Sequence, residues 1–95
     1  MTRFEQYCAR QRARYGAQFV APTGAALIDA YNKGERYRVN VRTTYPDGAH
    51  EDRWGYVALT TGWVPSFMLM RRRGQTGSSD LISERDTIIA SRWIK

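Results

Sequence analysis

The chain is predicted to be an α+β protein, with two short N-terminal helices followed by a five-stranded antiparallel small barrel or strongly bent sheet. Three observations predict this. Apolar and aromatic residues recur at helical spacing as far as Gly34, the period then changes to two, and Pro, Gly, Asp and Ser cut the remainder into short runs. With 95 residues, 42% of them apolar, one modest core is the expectation. Residues 1–95 are therefore taken as one domain, a helical arm over 1–34 resting on a β unit over 35–95.

The first helix is expected over about residues 3–15. Thr2 and Glu5 have capping-box spacing, and Phe4, Tyr7, Cys8, Gln11 and Tyr15 form its apolar stripe as far as Gly16. On a helical wheel Arg3, Arg10 and Arg14 fall within about 40° of one another, giving the helix a basic edge. Pro22 and Thr23 signal the entry of a second helix, Ala25 to Tyr31 its body and Gly34 its end.

The first strand is RYRVNVRTTY, Arg36–Tyr45, in which Tyr37, Val39 and Val41 share one parity and Arg36, Arg38 and Arg42 the other. Opposite parities face opposite sides of a sheet, so the first set is expected buried and the second exposed. Pro46, Asp47 and Gly48 make a turn into a long second strand, about His50 to Thr61, with Gly55 marking a bulge or bend. A third strand, Trp63 to Arg72, is interrupted by Pro65, which belongs at an edge or bulge. After GQTGSSD come a short strand at Asp80–Ser83, a tight turn and a last strand, TIIASRW.

This order over residues 35–94, with a bent second strand and a one-turn break before the last, resembles the SH3-like and Sm-like small barrels. The resemblance is architectural and brings no functional residue with it. The other arrangement considered is an open antiparallel sheet with both helices on one face.

Catalysis has little support. His50 is the sole histidine and lies beside a turn, Cys8 sits on the apolar side of the first helix, and Glu51 and Asp52 point to opposite faces of a strand. No nucleophile motif of the G-x-S-x-G kind occurs. One cysteine allows no internal disulfide, and with one histidine builds no ordinary zinc site, so neither metal nor cofactor is expected. No apolar run approaches the roughly 20 residues that span a bilayer. MTRFEQYCAR is not shaped like a signal peptide, so a soluble cytoplasmic protein without membrane contact is expected.

Charge is the more informative feature. Fifteen basic residues against nine acidic give a net charge of +6, and thirteen of the fifteen are arginine. Arginine suits bidentate phosphate contact and stacking on bases, although GC-rich coding also favours it over lysine. The excess lies in residues 1–74, since 75–95 balance to zero. Two clusters stand out, the row Arg36, Arg38 and Arg42, and the triplet Arg71, Arg72 and Arg73 entering a Gly/Ser loop. Gly74–Gly77 copies the G-x-x-G of KH domains, but there the loop joins two helices, and here it follows strand-like sequence.

The hairpin register decides what the first row does. A two-residue turn sets Arg42 against Arg53, and a three-residue turn with a bulge sets it against Asp52. The expected function is a non-enzymatic binding module for DNA or RNA, acting through backbone phosphates with Arg36, Arg38, Arg42 and Arg71–Arg73. Trp54, Tyr56, Trp63, Phe67 and Trp93 are numerous enough that one could serve as an exposed stacking platform beside mostly core neighbours. The alternative is a protein-interaction module, and a homodimer is compatible with either.

Overall fold

A computed structural model describes residues 1–71, 80–83 and 85–94. Helix α1, Arg3–Tyr15, opens with the complete capping box of Thr2 and Glu5 and ends at Gly16, which begins a short 3₁₀ turn. Helix α2, Ala25–Lys33, starts at Gly24 without a side-chain cap, so Thr23 does not perform the capping role expected of it. Phe4 N–H donates to Asn32 Oδ1 at 2.8 Å and Arg3 Nη1 to the Tyr31 carbonyl at 2.6 Å, which docks α1 on the end of α2.

The strands are β1, Tyr37–Thr44; β2, His50–Leu59; β3, Phe67–Met70; β4, Asp80–Leu81; and β5, Asp86–Trp93. Their order is β4-β3-β2-β1-β5, all antiparallel. The expected five-stranded barrel does not form: the sheet is open and small. Four strands have four residues or more, and β4 is a two-residue pairing on the β3 edge. Closure would require β5 to meet β4. Among the described residues β5 pairs only with β1, and β3 and β4 are too short to curl the sheet round. Pro65, buried ahead of Phe67, postpones β3 by removing a ladder donor.

Gly55, expected to mark a bulge or bend, is instead a point of close approach, since neither ladder of β2 shifts register there. β2 pairs with β1 through Gly55 and with β3 from Tyr56 onward. A Cβ on Gly55 would lie 2.5 Å from the Met70 carbonyl oxygen and 2.8 Å from Leu69 Cγ, so the chains cross there at a distance only glycine permits.

The odd-numbered face of β1 holds the core. Val39, Val41, Val57 and Leu69 are almost fully enclosed, and Tyr7, Cys8, Phe19, Ala30, Tyr31 and Phe67 complete the cluster from both helices, the segment between them and β3. Phe4 stacks on Phe67, and Tyr7 meets Tyr31 edge to face. Tyr37 is only half-buried, because β1 begins there and its ring is shared with the exposed Trp93. No helix among the described residues is long and apolar enough to cross a membrane.

Candidate nucleic-acid interface

The turn at Pro46–Gly48 sets the geometry of the opposite face. Gly48 takes a positive φ of 88° and donates its N–H to the Tyr45 carbonyl, while Tyr45 N–H donates to the Ala49 carbonyl. Three residues thus close the hairpin, and Asp47 Oδ1 accepts from Ala49 N–H at 3.0 Å to hold the turn. The register that follows pairs Arg42 with Asp52 and Asn40 with Trp54. On the other side of β1, Arg38 faces Arg92, Asn40 faces Ala90 and Arg42 faces Thr87, after a bulge between Asn40 and Val41.

The even-numbered face is therefore built in three rows. In the row nearest the hairpin, Arg42 binds Asp52 in two-pronged fashion, Nε to Oδ1 at 2.8 Å and Nη2 to Oδ2 at 3.0 Å. The hydrogen bonds from Arg42 hold the Asp52 carboxyl below its usual range, so both groups stay charged and cancel. The middle row carries Trp54, 39% exposed, with the Arg92 guanidinium 4.5 Å from its ring centre. Arg92 reaches that ring on a diagonal across β1, past Asn40, and the β5 position in Trp54's own row is the small Ala90. In the third row Arg38 lies over the buried Tyr56 ring at 5.2 Å and donates from Nη1 to the Arg71 carbonyl at 2.9 Å.

Two polar atoms on this face are buried without a hydrogen-bond partner, Arg38 Nε and Asn40 Oδ1. They belong to residues two apart on one strand, and therefore to one side of the sheet. Buried donors and acceptors are rarely left unpaired, and a ligand or solvent molecule reaching this position would pair them.

Of the expected site residues, Arg36 is exposed one residue ahead of β1, Arg38 is half-buried and Arg71 is exposed at the end of β3. The fold brings Arg38 and Arg71 together. It withdraws Arg42, which is neutralised by Asp52 rather than turned toward an external anion. Arg72 and Arg73, with Gly74–Gly77, lie outside the described residues. Period and composition assign no role to Arg92 or Asn40 and do not tell which aromatic stands exposed. The signal was the hairpin register: once Arg42 is set against Asp52, Asn40 must meet Trp54.

The reactive groups nearer the core are occupied or enclosed. Cys8 is buried and its thiol is pushed up by that burial, which keeps it from acting as a thiolate. Tyr7, 6% exposed, is pushed up to about 12 by desolvation and donates its hydroxyl to the Thr60 carbonyl. A cleft of about 350 Å³ between α2 and β5 is lined by Leu27, Val41, Ile82 and Ile88 with Asp86 at its margin. Asp86 already accepts from Thr43 Oγ1 and Ser83 N–H and pairs with Arg53 at 3.6 Å. Against protein-family models, characterised proteins and solved structures, the chain finds no match.

Proposed function

We propose that the protein is a small non-enzymatic module that binds nucleic acid through backbone phosphates, with the sheet face that carries the even-numbered residues of β1 and β2, and Thr87, Ala90 and Arg92 of β5, as its contact surface. One observation carries this reading: an exposed Trp54 lies under Arg92 on a face where, among the described residues, Asp52 is the only carboxylate at the outward positions of β1, β2, β3 and β5, and it is already bound to Arg42. Arg36, Arg38, Arg71 and Arg92 supply positive charge to phosphates, and the indole supplies a stacking surface. No cofactor has a part in it, and a cytoplasmic setting suits a lone buried free thiol.

A second reading, docking of a protein partner, draws on a different patch. Val20, Trp63 and Val64 are each more than half exposed and gather beside Tyr15, held by a hydrogen bond from Val20 N–H to the Trp63 carbonyl. Aromatic anchors of this kind suit protein interfaces.

The two are separated by the salt dependence of binding to a fluorescein-labelled oligonucleotide. Phosphate binding predicts that log affinity falls linearly with log salt, and that Arg38→Ala with Arg92→Ala lowers the slope by roughly 0.7–0.9 for each phosphate no longer neutralised. Absence of binding by the wild-type chain at low salt overturns the reading. Trp63→Ala, in contrast, should leave oligonucleotide affinity unchanged.

A further inference from the structure

Resting on the reading just given, we infer that the bound nucleic acid is single-stranded, with one base stacked at Trp54 and the adjoining backbone held by Arg38 and Arg92. The aromatic surface available is a ring set on a sheet, 39% exposed. In a duplex the flat faces of the bases are covered by their neighbours, so a side chain in such a position meets groove edges, phosphate and sugar but no stacking face. A single strand can turn a base outward onto the ring, and stacking of that kind tolerates any sequence.

Arg92 strengthens the case. Its guanidinium already lies 4.5 Å from the Trp54 ring centre, and a planar guanidinium stacks on aromatic faces and on bases alike. A base therefore either caps the Trp54–Arg92 pair or takes the place of the guanidinium, which then turns to the adjoining phosphate. The second course opens the path to Asn40, over which Arg92 crosses on its way from β5 to β2.

The unpaired atoms point the same way. Asn40 Oδ1 is an acceptor without a donor and Arg38 Nε a donor without an acceptor, both buried on the strand that separates Arg92 from Trp54. An unstacked base presents amino and imino donors along its edge, and the phosphate beside it presents acceptors. One nucleotide satisfies both needs at once. Duplex DNA offers Arg38 a phosphate as well, but without being opened it cannot lay a base face on Trp54 while an edge donor reaches Asn40. Charge fits as well, since the row carrying Asp52 is self-neutralised and the cationic rows are those of Trp54 and Tyr56.

The test is fluorescence anisotropy at low salt with labelled 12-mers: single-stranded DNA, single-stranded RNA and a duplex of the same DNA sequence. Single strands should bind at least ~10-fold tighter than the duplex. Trp54→Ala should reduce single-strand affinity ~10-fold or more and leave the weaker duplex affinity unchanged, while Trp54→Phe keeps most of it. Circular dichroism melts check that each variant folds, and Arg92→Ala, at an exposed position, repeats the single-strand loss without touching the indole. A DNA strand and an RNA strand bound equally indicates a site blind to the 2′-hydroxyl, and preference for RNA a site that reads it; either supports the inference. Equal or tighter duplex binding, or single-strand affinity unmoved by Trp54→Ala, overturns it while phosphate binding stands. Failure of the wild-type chain to bind duplex or single strand overturns the underlying reading instead.

Discussion

Val41 has no exposed surface and faces Arg53 on β2 and Ile88 on β5 across the ladders. An aspartate there would be a buried charge whose facing cation, Arg53, already serves Asp86 and Thr43, so Val41→Asp should destabilise the fold by about 4 kcal/mol or more, read as a lowered denaturant midpoint. Tyr7 gives a second test at this scale, with the sign set by its raised value. The folded state keeps the phenol protonated up to about 12, against an ordinary 10 in the unfolded chain. Its stabilising contribution is thus complete below pH 10 and is lost as pH rises from 10 to 12, on the order of 2 kcal/mol in all. Urea melts across that range should show stability falling in the wild type and a flatter profile in Tyr7→Phe. An equal alkaline slope in both proteins would assign the loss to other groups.

The elements are held by two devices that differ in how visible they are in sequence. Gly55 was legible as a special position, because a glycine inside an alternating strand has few uses, but its use is the close approach of β3 rather than a bulge. Since any Cβ there meets the Met70 carbonyl, Gly55→Ala should cost about 1–3 kcal/mol, seen as a lower melting temperature, and should loosen β3 from β2. The other device joins three strands and could not be foreseen. Arg53 of β2 donates to Thr43 Oγ1 of β1 at 2.7 Å, Thr43 donates to Asp86 of β5, and the Asp86 side chain is only 3% exposed. Arg53 and Asp86 are 33 residues apart in sequence, and only the sheet order brings them to one position. Asp86→Ala removes a nearly enclosed carboxylate that accepts from Thr43 and Ser83 and faces Arg53, and should destabilise by about 3 kcal/mol, measured by chemical denaturation. The same dependence on order hid the open sheet: the alternating pattern marks where strands lie, whereas closure turns on whether β4 is long enough to receive β5. The arginine row was legible as a row, but the partner of Arg42 depended on whether Pro46–Gly48 formed a two- or three-residue turn, and that sequence suits both.

At the scale of the whole molecule, composition states a net charge of +6 and says nothing of where it lies. The fold sorts it. Asp29 is paired with Lys33 at 2.8 Å, Glu5 serves the α1 cap, and Asp52 and Asp86 hold arginines. Many remaining cations rest on rings rather than carboxylates, Arg3 on Tyr31, Arg12 on Phe19, Arg38 on Tyr56 and Arg92 on Trp54. Such interactions anchor a guanidinium without cancelling its charge, so the molecule repels itself and attracts polyanions at the same time. Salt should then act in opposite directions on stability and on binding. Raising salt from about 20 to about 300 mM shortens the screening length from roughly 20 Å to below 10 Å, which relieves self-repulsion across a domain of this size. The melting temperature of the free protein is expected to rise over that range, because the exposed pair of Arg42 and Asp52, which salt weakens, contributes little in return. With an excess of single-stranded oligonucleotide the melting temperature should begin higher at low salt, through mass action, and converge on that of the free protein as salt displaces the strand. Differential scanning fluorimetry with and without the strand reads both trends in one experiment. A free protein whose melting temperature falls with salt would show that its carboxylate pairs, rather than its surplus cations, govern its electrostatics, and would remove the charge argument for a polyanionic partner.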